Sequence, residues 1–389
     1  MKNEDVSQNC HQINRKNLLY RKFQMHEHLH VIHGNDPWAM TYNLLEYLQP
    51  FENLPAHAVI GIKPNLVTAT PAGHGATTHP QIVEAVIAFL QAGGFSRIKI
   101  IESAWVGEST AKAFEVCGYT ALAKKYGIPL KDLKQDEAVG KHVNGMDIQV
   151  CRQMETIDYL INVPLIKGHC QTRLTCALKN LKGVIPDAEK RRFHRLGLHR
   201  PIALLNTVVT QHLIIADGIC PDPFFEEGGR PSRLQCIAAG CDPVLTDSWA
   251  ARVLDLDAAD IPYIRMAAQA GVGQCLQSMD QVVHLNTGPR QPRAYMSAHD
   301  PLPGDIAHES QACSACRSSL VTALNRLKHS GIAGVSVDRI AIGQGHQGST
   351  GEPDLLGIGD CTADFVCHLP GCPPSPEAIA VFLRQCRTC

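Results

Sequence analysis

Four cysteines near the C-terminus stand in patterns that could bind a metal. Cys313 and Cys316 form a C-x-x-C pair directly before a predicted helix. That spacing lets two thiolates face one metal centre, while the helix N-terminus stabilises their negative charge. Cys361 ends the glycine-rich stretch GIGDC, where the backbone can approach a bulky inorganic group. Cys372 lies in GCPP, and Pro373 favours an extended backbone that fixes the direction of this thiolate.

Three interpretations of these thiols remain open. Buried reduced cysteines are common in protein cores, and a Cys₄ zinc site also uses C-x-x-C pairs. A zinc site usually has a second close pair, whereas Cys361 and Cys372 stand 11 positions apart. A proline directly after a ligand cysteine recurs in ferredoxin-type motifs, so the pattern favours a [4Fe–4S] cluster. Cys367, Cys386 and Cys389 are further candidates that could replace one of the four.

The order C-x-x-C, G-x-C and GCPP before a helix resembles two iron–sulfur families, the small subunit of nickel–iron hydrogenases and the cluster-bearing subunit of respiratory complex I. In those families a G-x-C cysteine and a GCPP cysteine bind a [4Fe–4S] cluster. The resemblance is confined to the C-terminal segment, and its gaps differ. It implies first that Cys361 and Cys372 are ligands, and then Cys313 and Cys316.

A second set of reactive groups follows the predicted strands AVIGI, IKII, YLINVPLI and LIIA, each of which leads into cations, amides or carboxylates. Open α/β sheets bind ligands at the carboxyl ends of their strands, so we expect one crevice there. The lysines favour an anionic substrate, and the histidines and aspartate could transfer protons. The alternative is that each group has a separate structural use. The predicted catalytic residues are Lys63, His169 and Asp217, and the predicted substrate-binding residues are Asn65, His79, Lys167, Thr172, Lys179 and Asn180.

The elements that must position these residues alternate between strand and helix patterns. AVIGI and RIKIIES read as strands, and QIVEAVIAFLQAGG after Pro80 reads as an amphipathic helix closed by glycines. Residues 41–48 read as a short helix, and LTCALKNL as another. The alternation predicts an α/β fold with a largely parallel open sheet and flanking helices.

A Pro-rich, polar stretch at 287–305 marks a domain boundary. We therefore expect an N-terminal extension at 1–55, an α/β domain at 56–290 and a small α/β, cysteine-rich iron–sulfur domain at 305–389.

Within the α/β domain, several long motifs occur in an order that resembles the domain-of-unknown-function-362 family: IKPNLV, TTHPQIVEAVI, INVPLIKGHCQTRLTCALKNLKGVIP, IIADGI and AGCDPVLTD. The resemblance spans roughly residues 58–275 and implies no general activity. Members of the family are often linked to iron–sulfur segments, in agreement with the C-terminal cysteines. Family motifs commonly show a Thr-His pair after the lysine, where this chain has Gly168-His169, so a role for a hydroxyl at position 168 is not supported.

Composition restricts the partners and the compartment. The chain of 389 residues has 36 basic and 37 acidic residues, a balance that argues against general nucleic-acid binding. No apolar run approaches the length of a membrane span, and the polar N-terminus lacks a signal core, so we expect a cytoplasmic protein without a membrane partner. The 16 cysteines of such a long chain are not expected to form a disulfide framework.

Together these features predict an iron–sulfur oxidoreductase that acts on a small anionic substrate at the strand ends. No nicotinamide or flavin fingerprint is present, so the expected electron donor is a ferredoxin-like protein. One alternative is a non-redox lyase or isomerase that uses an open iron as a Lewis acid. Another is an electron-transfer or cluster-carrier protein without catalysis. The expected cofactor is a [4Fe–4S] cluster, with zinc as the alternative, and the expected oligomeric state allows a homodimer.

Overall fold

The structure is a computed structural model, and it describes residues 25–169, 171–286, 308–312, 314–329 and 337–386. Up to residue 286 the strands are β1 (Leu29–His33), β2 (Ile60–Pro64), β3 (Ile98–Glu102), β4 (Leu130–Asp132), β5 (Ala138–Val143), β6 (Met146–Cys151), β7 (Tyr159–Val163), β8 (Lys167–His169), β9 (Arg173–Thr175), β10 (Leu213–Gly218), β11 (Cys236–Gly240) and β12 (Val282–His284). The α-helices of this part are α1 (Pro37–Leu48), α2 (Pro80–Ala92), α3 (Thr110–Val116), α4 (Tyr119–Tyr126), α5 (Ala177–Asn180), α6 (Asp187–Leu196), α7 (His199–Val208), α8 (Pro243–Val253) and α9 (Pro262–Gln269).

The large sheet has eight strands in the order β12-β1-β11-β10-β7-β2-β3-β4. Neighbouring strands from β10 through β7, β2 and β3 to β4 are parallel, whereas β11 is antiparallel to both of its neighbours. The predicted α/β fold with a largely parallel sheet is confirmed. The strands are nearly continuous apolar runs because both faces of the sheet are covered by helices.

Side chains of the central strands alternate between two hydrophobic cores. In β10, Leu213 and Ile215 belong to the core beneath α1 to α4, while Ile214 and Ala216 belong to the core beneath α5 to α9. Helix α2 begins where the sequence predicts, with Pro80 at its first position and glycines at its end. Its buried face packs into the first of these cores.

Two local predictions need correction. Residues 1–55 were expected as an extension, but β1 lies inside the large sheet between β11 and β12, and α1 packs on that sheet. The histidine-rich sequence LHVIH of β1 is buried throughout. Its two histidines interrupt the apolar run by which a buried strand is recognised in a sequence. The segment LTCALKNL is also not one helix, because its first residues pair as β9 with β8 and only Ala177–Asn180 is helical.

A small C-terminal unit contains strands β13 (His308–Glu309), β14 (Ile340–Ile342), β15 (Leu356–Ile358) and β16 (Cys367–Leu369), with helices α10 (Ser314–His329) and α11 (Pro376–Gln385). The four strands are parallel and lie in sequence order. Apolar side chains of both helices and of the strands form a separate core. The carboxyl ends of these strands therefore face the starts of both helices at one end of the unit.

Candidate functional site

A small cleft opens at the carboxyl ends of β2, β3 and β7. From β2 the chain continues to β3 and β4 on one side of the sheet and returns to β7 and β10 on the other. Open α/β sheets bind ligands at such a switch point, because the loops on its two sides diverge. The cleft has a volume of about 60 Å³, room for roughly four waters. Its charged lining groups are Lys63, Lys179, Lys182, Lys190, Glu102, Glu226 and Glu227.

One wall of the cleft is an ion pair between Lys63 at the end of β2 and Glu102 at the end of β3. The ammonium nitrogen lies 3.1 Å and 3.0 Å from the two carboxylate oxygens, and the two side chains are only 1% and 3% exposed. Glu102 also accepts hydrogen bonds from the backbone N–H groups of Leu66 and Ser103. Burial lowers the pKa of Lys63, although the charge of Glu102 opposes that shift. These contacts compensate both buried charges, as a buried ion pair requires.

Gly183 lies against this ion pair, and the absence of a side chain there leaves room for the two charged groups. A Cβ atom at residue 183 would be 2.6 Å from Lys63 Nζ and would overlap Glu102 Oε1. Both atoms are held by the contacts just described and cannot move away cheaply. The glycine at the end of LTCALKNLKG is therefore required for a close approach, and its role is more than the termination of a helix.

The opposite wall is built around Glu226, which forms an ion pair with Lys179 and lies close to His169. His169 Nε2 is 3.0 Å from Glu226 Oε2, an electrostatic contact without the geometry of a full hydrogen bond. His169 Nδ1 accepts the backbone N–H groups of Gln171 and Thr172, so the ring proton is on Nε2. Burial and the nearby Lys179 lower the pKa of His169 to about 4. Burial alone would raise the pKa of Glu226, but Lys179 and His169 outweigh it and hold that pKa well below its usual value.

Lys167 and the predicted asparagines form a hydrogen-bonded network beside the cleft. The Lys167 ammonium donates to Asn65 Oδ1, Ala76 O and Glu226 O at 3.1, 2.7 and 2.9 Å. Asn65 Nδ2 donates to Asn180 Oδ1 at 2.9 Å. Burial lowers the pKa of Lys167 to about 8. The structure thus brings these three predicted residues together, and they bind mainly to one another and to the backbone.

Lys190 on α6 is a member of the cleft that the sequence analysis did not select. Its ammonium donates to Ser103 Oγ and O, to Ala104 O at 2.7 Å and to Asp187 Oδ1 at 3.1 Å. Burial is the main cause that lowers the pKa of Lys190 to about 8. This lysine therefore fixes the loop after β3, and its N–H groups already have acceptors.

Lys179 and Lys182 are the other two lysines that line the cleft. Among the described residues, Lys179 Nζ has two acceptors, Glu226 Oε1 and Thr175 Oγ1, which leaves one of its three N–H groups for the cleft. Lys182 Nζ lies 3.0 Å from His194 Nε2. Burial and the nearby Lys182 lower the pKa of His194 well below its usual value, so His194 is a neutral acceptor.

Besides His169 and Lys167, three further predicted site residues lie outside the cleft lining. Asp217 accepts from the backbone N–H and from Nδ1 of His79, at 2.9 and 3.0 Å, at the start of α2. Burial alone would lower the pKa of His79, but Asp217 outweighs it and raises that pKa. The carboxylate thus lies at the N-terminus of α2, where its negative charge is favourable. Thr172 is buried and donates to Leu174 O at 3.0 Å, which fixes the turn after β8.

Four residues at the cleft were not predicted as site residues, and they differ in how far a sequence pattern marks them. Glu102 follows the strand IKII directly and could be found by the strand-end rule. Lys190 and His194 are four positions apart on α6, which puts them on the same helix face. Glu226 lies in the irregular segment between β10 and β11, and no pattern in the sequence marks it.

Gly168 packs against the same segment that carries Glu226. A Cβ atom at residue 168 would be 2.8 Å from Phe224 N and closer still to the Pro223 carbonyl group. The Gly168 N–H donates to Asp222 O at 2.8 Å. A threonine at this position would push the loop away, so glycine at 168 fits this loop conformation.

In the C-terminal unit, the described cysteines separate into two groups. Cys316 is buried in the first turn of α10, and its Sγ would be 3.5 Å from a Cβ atom placed on Gly359. The loop that continues to Cys361 is hydrogen-bonded to the loop that precedes Cys372, since Asp360 N donates to Gly371 O at 3.1 Å. The first turn of α10, with Cys316, and the loops that carry Cys361 and Cys372 therefore meet at the carboxyl ends of β15 and β16.

The fit of this end of the unit to a metal cluster is partial. The glycine at 359 leaves room beside a buried thiol, as a bulky inorganic group requires. Cys361 is half-buried and Cys372 is exposed. Among the residues that the structure describes, no group of three or more His, Cys, Asp or Glu side chains is arranged to hold a metal ion. Cys313, a predicted ligand, and Cys389 lie outside the described residues.

Cys367 and Cys386 form the second group, at the other end of the unit. Cys367 is the first residue of β16 and pairs with Leu356, the first residue of β15. Cys386 follows the last residue of α11. Their sulfur atoms are 3.5 Å apart. With a rise of about 3.3 Å per strand residue, Cys367 is remote from the loop at Cys372.

The fold and the cleft define a class of α/β protein with a buried polar site at the switch point of a mostly parallel sheet. Residues 60–252 match the family model described as "Domain of unknown function (DUF362)". This part of the chain is therefore similar to that family, in agreement with the resemblance given by its motifs. The matched range contains the residues that line the cleft.

Two proteins of known sequence or structure are similar to this chain. The thylakoid-associated protein sll1697 of Synechocystis sp. is 28% identical over 250 residues, which are 60% of this chain and 74% of that protein. The lactate racemase apoprotein of Thermoanaerobacterium thermosaccharolyticum is 12% identical with a TM-score of 0.39, and the match covers 57% of this chain and 56% of that one. Within the described ranges, no helix combines the length and the apolar character that crossing a membrane requires.

Proposed function

We propose that the chain is an enzyme that binds a small anionic substrate in the cleft between β2 and β7. The observation that carries this proposal is the pair of cations, Lys179 and Lys182, at the cleft of a sheet switch point. The cleft contains four lysines and three glutamates, an excess of one positive charge that a single anionic group would balance. Its size suits a carboxylate or phosphate group and excludes a nucleotide as the deeply bound part.

Lys63 is the proton-transfer group in this proposal. It lines the cleft, and burial lowers the pKa of its ammonium group, which makes that group a better proton donor. His169 and Asp217, predicted as catalytic, act here as positioning residues. His169 orients Glu226 and thereby Lys179, and Asp217 orients the start of α2.

We further propose that the C-terminal unit binds a [4Fe–4S] cluster, which would make the enzyme an oxidoreductase. The convergence of the loops at Cys316, Cys361 and Cys372 supports this assignment, and Cys313 would be the fourth ligand. A bound cluster would accept or donate single electrons. A ferredoxin-like partner and a cytoplasmic location are parts of the same proposal.

Anion binding is tested with Lys182→Met. Because a hydrogen bond to a charged group contributes about 1.5–3 kcal/mol, we expect at least a tenfold weaker affinity for an anion that binds the wild-type protein. The measurement is isothermal titration calorimetry with acetate, malonate and inorganic phosphate. Lys124→Met, which removes an exposed lysine on α4, is the control and should bind as wild type does. Binding that is equal in all three proteins would contradict the assignment of Lys182.

The cluster is tested by anaerobic purification with assays for iron, acid-labile sulfide and zinc, and by EPR spectra of the reduced and oxidised protein. We expect Cys372→Ser to remove the cluster signal and Cys367→Ser to retain it, since Cys367 lies at the other end of the unit. Zinc without acid-labile sulfide would end the cluster proposal. Four cysteine ligands would favour electron transfer, whereas three would favour the Lewis-acid alternative. A cluster without anion binding would favour an electron carrier.

A further inference from the structure

We propose that Cys367 and Cys386 are a redox modification site that forms a reversible disulfide. Their sulfur atoms are 3.5 Å apart, although the residues are 19 positions apart in the chain. Both side chains are half-buried, so a small oxidant can reach them while bulk solvent is largely kept away. Neither residue is assigned to the cleft or to the nominated cluster ligands.

The backbones of both cysteines are held by regular structure. Cys367 begins β16, which pairs in parallel with β15, and Cys386 directly follows α11. Both side chains pack against the same hydrophobic core, together with Phe382 and Leu369. A disulfide needs a sulfur–sulfur distance of about 2.05 Å. The two sulfur atoms must therefore approach by about 1.5 Å from their separation of 3.5 Å.

A metal is the other common reason for two thiols to lie so close together. Among the residues that the structure describes, no group of three or more His, Cys, Asp or Glu side chains is arranged to hold a metal ion. Cys367 begins β16, whereas Cys316 lies beside Gly359, which follows the last residue of β15. These observations favour a dithiol over a share in the cluster.

The reaction needs an oxidant, for which we take a low-molecular-weight disulfide such as oxidised glutathione. The thiolate of one cysteine attacks a sulfur of the oxidant, which forms a mixed disulfide and releases one thiol. The second cysteine then attacks the protein sulfur of that mixed disulfide and releases the second thiol. The two protein thiols lose two electrons and two protons in total, and the oxidant is reduced to two thiols. A dithiol reductant reverses the reaction.

The test uses the full-length protein, treated first with a reductant and then with oxidised glutathione. Remaining thiols are alkylated, and peptides are mapped by mass spectrometry without reduction. We expect one cross-linked peptide that joins Cys367 to Cys386, and its disappearance after treatment with dithiothreitol. Cys367→Ser and Cys386→Ser should each lose the cross-link and leave a glutathione adduct on the remaining partner. Cys275→Ser, which removes a half-buried cysteine of the α/β part, should retain the cross-link.

Two results would overturn the proposal. One is separate alkylation of both cysteines after oxidation of the wild-type protein, and the other is bound zinc that is released in proportion to their modification. The wild-type map alone decides the matter if a serine variant fails to fold. Iron and sulfide contents are measured in the same samples, so that a failure of the cluster proposal is distinguishable from a failure of this one.

Discussion

Glu102→Gln is expected to lower the free energy of unfolding by about 3–5 kcal/mol, because it leaves the buried Lys63 ammonium without its counter-charge. Lys63 Nζ lies 3.0 Å from Glu102 Oε2, and both groups are shielded from water. Desolvation of a charge is costly unless an opposite charge compensates it. Urea unfolding at pH 7, followed by circular dichroism, measures the loss.

Two further variants serve as controls for that result. Glu155→Gln removes one partner of an exposed ion pair, with side chains 38% and 42% exposed in Lys141 and Glu155, and should leave stability unchanged within error. The double variant Lys63→Met/Glu102→Leu removes both charges and should recover much of the stability lost by Glu102→Gln. Equal stability of Glu102→Gln and wild type would show that the pair is not buried as described.

The pH dependence of the free energy of unfolding should reveal the lowered pKa of Lys190. Its pKa is lowered to about 8 in the folded protein by burial, whereas an unfolded lysine has a pKa of about 10.4. Between these values the unfolded chain binds more protons, so this group makes the protein more stable as pH rises. The cost of burying the charged form is fully present below pH 8 and disappears above the unfolded pKa. We expect a gain of about 2 kcal/mol for wild type relative to Lys190→Met between pH 7 and pH 10.

The comparison with Lys190→Met is essential, because buried cysteines and tyrosines also titrate at alkaline pH. Burial raises the pKa of Cys151 to about 12, for example, and that group acts in the opposite direction. Such contributions are present in both proteins and cancel in the difference. The measurement is urea unfolding of both proteins at pH 7, 8, 9 and 10. A difference that does not change with pH would contradict the lowered pKa of Lys190.

Local sequence patterns were sufficient to predict two strands and one helix of the part of the chain that carries the cleft. The helix from Pro80 and the strands that end near Lys63 and Glu102 follow from apolar periodicity and from proline and glycine punctuation. The strand-end rule then located Lys63 and Asn65 beside one cleft. It failed to separate these from Asp217 and His79, because it cannot tell which strand ends lie next to the switch point.

The cysteine patterns show the same limit. Spacing alone nominated Cys361 and Cys372 and left Cys367 and Cys386 as substitutes. The parallel register of β15 and β16 places Cys367 at the opposite end of the unit from the loops at Cys361 and Cys372. Register depends on which strands pair, and spacing along the chain does not specify it.

The sequence by itself determined the α/β class, the similarity of residues 60–252 to one family model and the strand ends on which polar groups stand. Secondary-structure preferences depend on residues that are near one another in the sequence, within one helical turn or one strand. They can therefore be predicted from the sequence alone. Only the tertiary structure decided that Glu102, Glu226 and Lys190 complete the cleft, and that Gly183 and Gly168 are needed for close packing. These contacts join segments that are far apart in the chain, so they exist only once the sheet has formed. Burial in the folded protein also sets the protonation and the pKa values of the side chains that make them.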